Sequence, residues 1–309
     1  MTATDYQLVI VGGGPAGLTA GLYAARARLN VVLLEKGATG GQVMNTDWVD
    51  NYPGFPEGLS GFDLAEKFAA QAARFELVTR LGEVKSMDLA GPVKKIVLDN
   101  GETITSQAII IATGARPNQI DVPGEKELTG KGVSYCATCD GPFYRGLEIA
   151  VVGGGNTAIQ EAIHLTKFAT KVFVIHRRDE LRATKIVQEK AFANDKIEFI
   201  WDSIVTEIHG SKEVEEILLK NVVTGEESTL AVKGVFVLIG TRPNNEMLPF
   251  DQLENEDGFI VTDREMRTSQ PGVMAAGDIC SKAVRQIVNA AGEGAVACLA
   301  AEEYLGSLK

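Results

Sequence analysis

Basic residues are in short supply. The 309-residue chain carries 30 Lys and Arg against 41 Asp and Glu, a formal net charge of −11. Nucleic-acid binding normally rests on a basic excess, so this balance excludes that class of partner. Cysteine is scarce as well: Cys136, Cys139, Cys280 and Cys298 are too few to staple a chain of this length as a disulfide scaffold. No apolar run approaches the ~18 residues of a membrane-spanning helix. No Lys or Arg precedes Arg26, so the charged start of a secretory signal is missing. The expectation is a cytoplasmic chain with no membrane partner, in which a disulfide is catalytic rather than structural. The 45% apolar and 23% charged residues fall in the ordinary globular range, and the length suggests about two domains.

Glycine is abundant, with 33 residues, and it is clustered. Leu8-Val9-Ile10-Val11 leads into Gly12-Gly13-Gly14-Pro15-Ala16-Gly17, an Ala-rich stretch to Arg28, then Val31-Val32-Leu33-Leu34 and Glu35. Strand, glycine turn, helix, strand and acid form the dinucleotide-binding fingerprint in its proper context. Gly12 permits the tight turn, Gly14 lets a pyrophosphate approach the backbone, and Gly17 lets helix and strand pack closely. The helix start offers free N–H groups to phosphate, and Glu35 can accept hydrogen bonds from a ribose.

The design recurs. A constant offset of 141 residues carries Gly12 onto Gly153, Gly14 onto Gly155 and Gly17 onto Ala158, in Gly153-Gly154-Gly155-Asn156-Thr157-Ala158. The same offset carries Glu35 onto His176, followed by Arg177 and Arg178. Cations thus stand where the first copy has its ribose acid. Arg182, one helical turn beyond Arg178, can join them. A carboxylate would repel a 2′-phosphate, whereas a guanidinium grips it bidentately. The first site therefore suits a cofactor with a free ribose and the second suits NADP, the alternative for the arginines being a solvated basic run. A second repeat, Thr113-Gly114-Ala115-Arg116-Pro117-Asn118 against Gly240-Thr241-Arg242-Pro243-Asn244, marks two domain crossings. The expected division is 1–115, 116–244 and 245–309. The last piece lacks a fingerprint and completes the first domain. A helix is expected over Phe62 to Phe75.

Cys136-Ala137-Thr138-Cys139-Asp140 is the second signal. A structural zinc site needs further ligands at similar spacing, and Cys280, Cys298, His164, His176 and His209 do not supply them, so no metal is expected. Two unrelated buried cysteines and a redox dithiol remain, and the dithiol reading accounts best for the spacing. Asp140 can shuttle a proton during thiol–disulfide exchange, its alternative being a turn residue before Gly141-Pro142. Cys280 and Cys298 read as small packed hydrophobes. Hydride transfer moves two electrons together, whereas a disulfide reacts through sulfur. A flavin bridges the two chemistries, and the first nucleotide site is free to hold FAD. The inferred relay runs from NADPH to FAD to Cys136–Cys139.

With these motifs together, the whole chain resembles the low-molecular-weight thioredoxin reductases of bacteria and archaea, within the pyridine nucleotide-disulfide oxidoreductases. Gly40-Gly41-Gln42, Gly277-Asp278 and Arg285-Gln286 strengthen the likeness. The resemblance implies an α/β fold of two Rossmann-like domains, the NADPH domain inserted into the FAD domain. FAD would be held by Gly12, Gly14, Pro15 and Ala16, by Glu35 and Lys36, and by Gly40, Gly41, Gln42 and Asn51. Ala112, Thr113 and Gly114 would follow, with Gly277, and with Asp278 on the ribitol chain. Arg285, Gln286 and Ile287 would lie beside the isoalloxazine. NADPH would be held by Gly153, Gly155, Asn156, Thr157, His176, Arg177, Arg178 and Arg182. Cys139 would face the flavin, Cys136 would attack the thioredoxin disulfide and Asp140 would be the acid. The likeness also implies a homodimer and rotation of the middle domain about 113–118 and 240–244.

One departure stands out. Many such reductases place two aromatics before a Tyr where this chain has Pro142-Phe143-Tyr144, at the surface that docks thioredoxin. Lys131 can steer an acidic partner, or is simply a solvated loop lysine. The rivals are a reductase serving a peroxidase system, which usually carries an additional N-terminal thioredoxin-like region; a ferredoxin- or deazaflavin-linked variant, which tends to lose the basic cluster; and a non-enzymatic flavin redox sensor.

Overall fold

The computed structural model describes residues 4–46 and 48–308, so the Met1–Ala3 start of the signal reading lies outside the described residues. The chain divides into two compact units: the described residues of Met1–Arg116 with Arg242–Lys309, and Pro117–Thr241. The expected α/β class, with one Rossmann-like unit inserted in another, is the fold the chain adopts.

Among the described residues the first unit carries a seven-stranded sheet. Its strands are β1 (Tyr6–Val11), β2 (Val31–Glu35), β3 (Val78–Leu81), β4 (Val84–Asp88), β5 (Lys94–Leu98) and β6 (Thr103–Ile111), in the order β3-β2-β1-β6-β5-β4. The seventh, Val273–Ala275, pairs with β6 in parallel, so the last stretch of chain completes the sheet begun by the first. Strands β1, β2, β3 and β6 run parallel, and β4 and β5 form an antiparallel edge. Leu8, Val9 and Ile10 are wholly buried, because a parallel sheet is covered on both faces. Leu8 and Ile10 join the core under the helices, while Val9 and Val11 join Val84, Ile96 and Ile104 on the opposite face.

Helix α1 (Pro15–Arg26) starts with Pro in its first turn and buries Ala16, Leu18, Ala20 and Ala24. Its small residues allow close approach to the long last helix, Ile287–Ser307, where a Cβ added at Gly294 would run into the Ala16 carbonyl. Helix α2 (Gly61–Ala73) is capped by Ser60, whose side chain accepts from Asp63 N–H at 3.0 Å. It lies where the helix over Phe62 to Phe75 is expected, and it ends slightly earlier.

The second unit has a parallel sheet in the order Ile197–Ile200, Lys171–Ile175, Glu148–Val152, Gly234–Val237 and Val133–Ser134. After Ser134 come a single turn, α3 (Ala137–Asp140), and a 3-10 turn, Gly141–Tyr144. Helices α4 (Asn156–Leu165) and α5 (Lys185–Phe192) follow. Ile149 and Val151 meet Ala158, Ile159 and Ala162 of α4 on one face. Ala150 and Val152 face the core shared with an antiparallel three-stranded sheet, Ser203–His209, Glu216–Asn221 and Glu227–Ala231. Among the described residues no helix is long and apolar enough to cross a membrane.

Candidate functional site

The first fingerprint sits between β1 and α1. Gly12 adopts φ +107°, in the left-handed region that favours glycine, and a Cβ there would strike the Ala112 carbonyl. Gly14 precedes α1 in extended conformation, and no side chain caps the helix. Its amides are therefore open to an anion. A Cβ on Gly41 would lie 3.2 Å from Gly14 Cα, so two glycine backbones face each other across a groove that any side chain would fill. Gly40 N–H donates to Gly13 O at 2.7 Å, tying Gly40-Gly41-Gln42 to the fingerprint. Glu35, closing β2, accepts from Gly13 N–H at 2.6 Å and from Gly37 N–H at 3.1 Å. This fixes its carboxylate over the loop with lone pairs remaining for ribose hydroxyls. Glu35, Lys36, Thr113, Arg116 and Asn244 line a cavity of about 600 Å³ beside it.

Other segments converge on this unit. Ala112 and Gly114 flank Thr113, whose carbonyl accepts from Asn244 Nδ2 at 2.8 Å, while Gly114 O accepts from Asn244 N–H at 3.0 Å. Asn51 Nδ2 donates to Gln286 Oε1 at 3.1 Å, and Gln286 precedes the last helix without capping it. Ile287 packs near Val43 and Leu64. Gly277 N–H donates to Glu293 Oε2 at 2.8 Å, and Lys282 Nζ meets the same oxygen at 2.7 Å. Burial pushes the Asp278 carboxyl up, opposed by the nearby Lys282 and Arg285.

Four polar atoms of this unit are buried without a hydrogen bond among the described residues: Ser106 Oγ on β6, and Thr113 Oγ1, Asp278 Oδ1 and Arg285 Nε around the fingerprint, where Asp278 Oδ1 has only the Lys282 ammonium at 3.6 Å. Leaving one such group unpaired costs about 1–3 kcal/mol. Three around a single fingerprint suit a polyhydroxylated, phosphate-bearing ligand, and FAD fits that description.

The second fingerprint repeats the geometry in the other unit. Gly153 has φ +145°, and an added Cβ would meet the Leu238 carbonyl and Ala158 Cβ. Gly155 precedes α4 uncapped and has open space where a Cβ would stand. Asn156 and Thr157 open the helix. Arg177, Arg178 and Arg182 are exposed, as the cation reading requires.

Two details of that reading are corrected. First, Arg178 to Arg182 are not helical. Arg182 N–H and Ala183 N–H both donate to Gly154 O, at 2.8 and 3.1 Å, and Thr184 N–H donates to Asn156 Oδ1 at 2.8 Å. The glycine loop itself, not a helical turn, holds the basic segment. Second, His176 is not one of the cations. It is 5% exposed and its ring occupies the space a Gly154 side chain would need. Burial first, then Arg182, Arg178 and Arg177, depresses its pKa, so the ring is neutral at pH 7. Its Nε2 is buried and unpartnered, which suits a hydrogen bond to a nucleotide.

Cys136 and Cys139 form a disulfide with their Cα atoms 5.3 Å apart. Cys136 stands at the start of α3, and its Sγ accepts from Cys139 N–H at 3.2 Å. That donor favours a thiolate on Cys136 once the bond is reduced. Asp140 Oδ2 lies 2.5 Å from Ser134 Oγ. Beyond it Pro142 and Phe143 are exposed, whereas Tyr144 turns inward, edge-on to Phe236 with ring centroids 5.1 Å apart. Cys280 and Cys298 are buried, and burial pushes both thiols up to about 12, so neither is a ready nucleophile.

Sequence reasoning missed Ser134, Glu293 and Lys282 as site residues, and treated Asn244 only as part of a repeat. For Asn244 the repeated Arg-Pro-Asn was the available signal. For the other three no spacing pointed to the contact.

Residues 6–294 match the pyridine nucleotide-disulphide oxidoreductase family. The chain is 45% identical over 307 residues to the thioredoxin reductase of Bacillus subtilis, covering 98% of this chain and 96% of that protein. Identity to the thioredoxin reductase of Listeria innocua is 45% over 305 residues, with 98% and 95% covered. Among solved structures, thioredoxin reductase from Streptococcus pyogenes superposes with a TM-score of 0.95 at 45% identity, over 99% of this chain and 100% of that one. The enzyme from Giardia duodenalis gives 0.93 at 40% identity, over 98% and 100%. The chain belongs to the pyridine nucleotide-disulphide oxidoreductase family. Within that family it falls among the low-molecular-weight thioredoxin reductases.

Proposed function

We propose that the chain uses NADPH and FAD to reduce thioredoxin through Cys136–Cys139. The observation that carries this reading is that one unit joins a redox disulfide to a dinucleotide fingerprint followed by exposed arginines, while the other places buried polar atoms of Thr113, Asp278 and Arg285 that lack a hydrogen bond around its fingerprint. The names of the relatives supply thioredoxin as the acceptor.

In this reading Gly12, Gly14 and the open start of α1 bind the FAD pyrophosphate. Glu35 takes the adenosine ribose, and Thr113, Asp278 and Arg285 bond the remaining polar groups. The start of the last helix, after Gln286, places positive helix-end potential beside the flavin ring. Gly155, Asn156 and Thr157 bind the NADPH pyrophosphate, and the arginines clamp the 2′-phosphate. Bound flavin supplies an acceptor for the nicotinamide hydride and a donor of an electron pair to sulfur.

Two electrons break the Cys136–Cys139 bond. The Cys139 N–H stabilises the Cys136 thiolate, which attacks the thioredoxin disulfide to form a mixed disulfide. Asp140 gives its proton to the displaced thioredoxin sulfur. Cys139, as a thiolate, then attacks Cys136 Sγ, restoring the Cys136–Cys139 disulfide and expelling the second thioredoxin sulfur, which takes its proton from water, as Asp140 does in regaining its own. Val288, Val296 and Leu299 are exposed along the last helix and support the reading that a second copy packs there. The cytoplasm, where thioredoxin is held as a dithiol, is the fitting compartment.

Anaerobic mixing of the yellow protein with NADPH should bleach it. Oxidised thioredoxin should then restore the colour and release thiols; colour that stays bleached after thioredoxin is added would sink the proposal. The cation assignment is tested separately. Arg177→Ala with Arg182→Ala removes two charge-assisted contacts, each worth roughly 1.5–3 kcal/mol. It should weaken NADPH by about 10²-fold or more and leave NADH nearly unchanged. Equal losses with both nucleotides would show that the arginines do not read the 2′-phosphate.

A further inference from the structure

We propose that Ser134 is a positioning residue for the Asp140 carboxyl, its one hydroxyl proton turning between Asp140 and the Cys136 carbonyl as that carboxyl loses and gains its own. The proposal rests on the reading of Asp140 as the acid of the exchange.

Ser134 ends the short strand Val133–Ser134 and is 4% exposed. A polar side chain so buried must find its partners in the protein, and here all of them belong to the dithiol turn. The Ser134 oxygen accepts from Cys136 N–H at 3.1 Å. Its proton has two acceptors in reach, Asp140 Oδ2 at 2.5 Å and Cys136 O at 3.4 Å. Cys136 O also receives Asp140 N–H at 3.1 Å, so the backbone of the acid and that of the nucleophile already meet at this carbonyl.

A hydroxyl offers one donor and two acceptor positions. While Asp140 is ionised, the serine proton goes to the carboxylate and Cys136 N–H fills one lone pair. When Asp140 takes up a proton, its new O–H donates to the second lone pair of Ser134, and the serine proton turns to Cys136 O. Serine neither gains nor loses a proton; the single added proton resides on Asp140. Both states are hydrogen-bonded, and the acid is held against the Cys136 turn in each.

The bond to the ionised state favours that state. Removing the hydroxyl should make Asp140 harder to ionise. Helix α3 packs against α4 and the 3-10 turn that follows it, and their titratable groups are Glu161, His164 and Tyr144. Burial, then the Asp140 charge, keeps the Tyr144 hydroxyl protonated. Burial also raises the Glu161 carboxyl, against the pull of His164. None of these is altered by substituting Ser134.

The test is infrared titration of the Asp140 carboxyl band in the holoenzyme, the band being assigned by its loss in Asp140→Asn. In Ser134→Ala the titration should move up by roughly one pH unit. The alkaline limb of thioredoxin reduction should move the same way, with bleaching by NADPH unchanged, and Ser134→Thr should move both back. An Asp140 band that titrates identically with and without the hydroxyl overturns the proposal. Should Ser134→Ala fail to fold, the Cys136 amide signal of the unaltered protein should shift in step with the Asp140 band, and an amide that stays constant through that titration overturns it equally. If Asp140 shifts as expected but no form of the protein reduces thioredoxin, the positioning role stands and only the functional reading falls.

Discussion

Replacing both Cys136 and Cys139 by Ser should lower thioredoxin reduction on the order of 10³-fold or more, as loss of an essential nucleophile does, while bleaching by NADPH is retained. A serine oxygen is not ionised near neutral pH and cannot form the disulfide that receives the electron pair. Loss of the fold would not explain the result. Cys136 acts as a helix cap, accepting from Cys139 N–H, and serine is among the preferred residues at that position. Nor can another thiol take over, because Cys280 and Cys298 are buried with their thiols pushed up to about 12. Stopped-flow absorbance for the first half-reaction and thiol titration for the second separate the two steps. Undiminished delivery of electrons to thioredoxin by the doubly substituted protein would remove the dithiol from the pathway.

A cross-link that locks the two units in one orientation should reduce steady-state turnover by about 10²-fold or more, the scale on which misplacing reactants acts, without changing flavin content. The reason lies in which groups share a unit. The disulfide and the second fingerprint both belong to Pro117–Thr241, whereas the residues assigned to flavin belong to the other unit. Nicotinamide and disulfide must each reach the flavin in turn, so we infer that the units reorient between half-reactions. The connecting segments suit such a joint. On one side Asn118 N–H bonds Gly240 O at 2.9 Å; on the other, Asn244 N–H bonds Gly114 O at 3.0 Å. Reductive cleavage of the cross-link should restore the rate, and a locked protein with full turnover would refute the reorientation.

Much of the fold is written in local sequence. Two strand–glycine–helix signals at a constant offset, each followed by an apolar strand, lead directly to the two parallel sheets that form. The expected helix over Phe62 to Phe75 exists because its apolar positions repeat at helical spacing and Ser60 caps it. The basic segment departs from the expectation in one respect. Arg178 and Arg182 have helical spacing, yet the backbone there is held by Gly154 O, and spacing alone cannot reveal a competing acceptor from a distant loop. His176 stands beside the arginines in the chain, but its buried surroundings, not its chain neighbours, set the direction of its pKa.

The α/β class, both nucleotide fingerprints, the redox pair and the contrast between Glu35 and the arginines are all legible in the chain before it folds. These depend on features that neighbouring residues impose on each other: glycine's freedom at φ +107° and +145°, a two-residue gap between cysteines, the charge that follows a strand. Which side chains meet is settled by folding. Asn51 and Gln286 are 235 residues apart, Asn244 reaches back to Thr113, Glu293 holds the amide of Gly277, and Ser134 bonds Asp140. Packing of the sheet against its helices sets those distances, and burial, which exists only in the folded chain, depresses the His176 pKa and raises that of the Asp278 carboxyl.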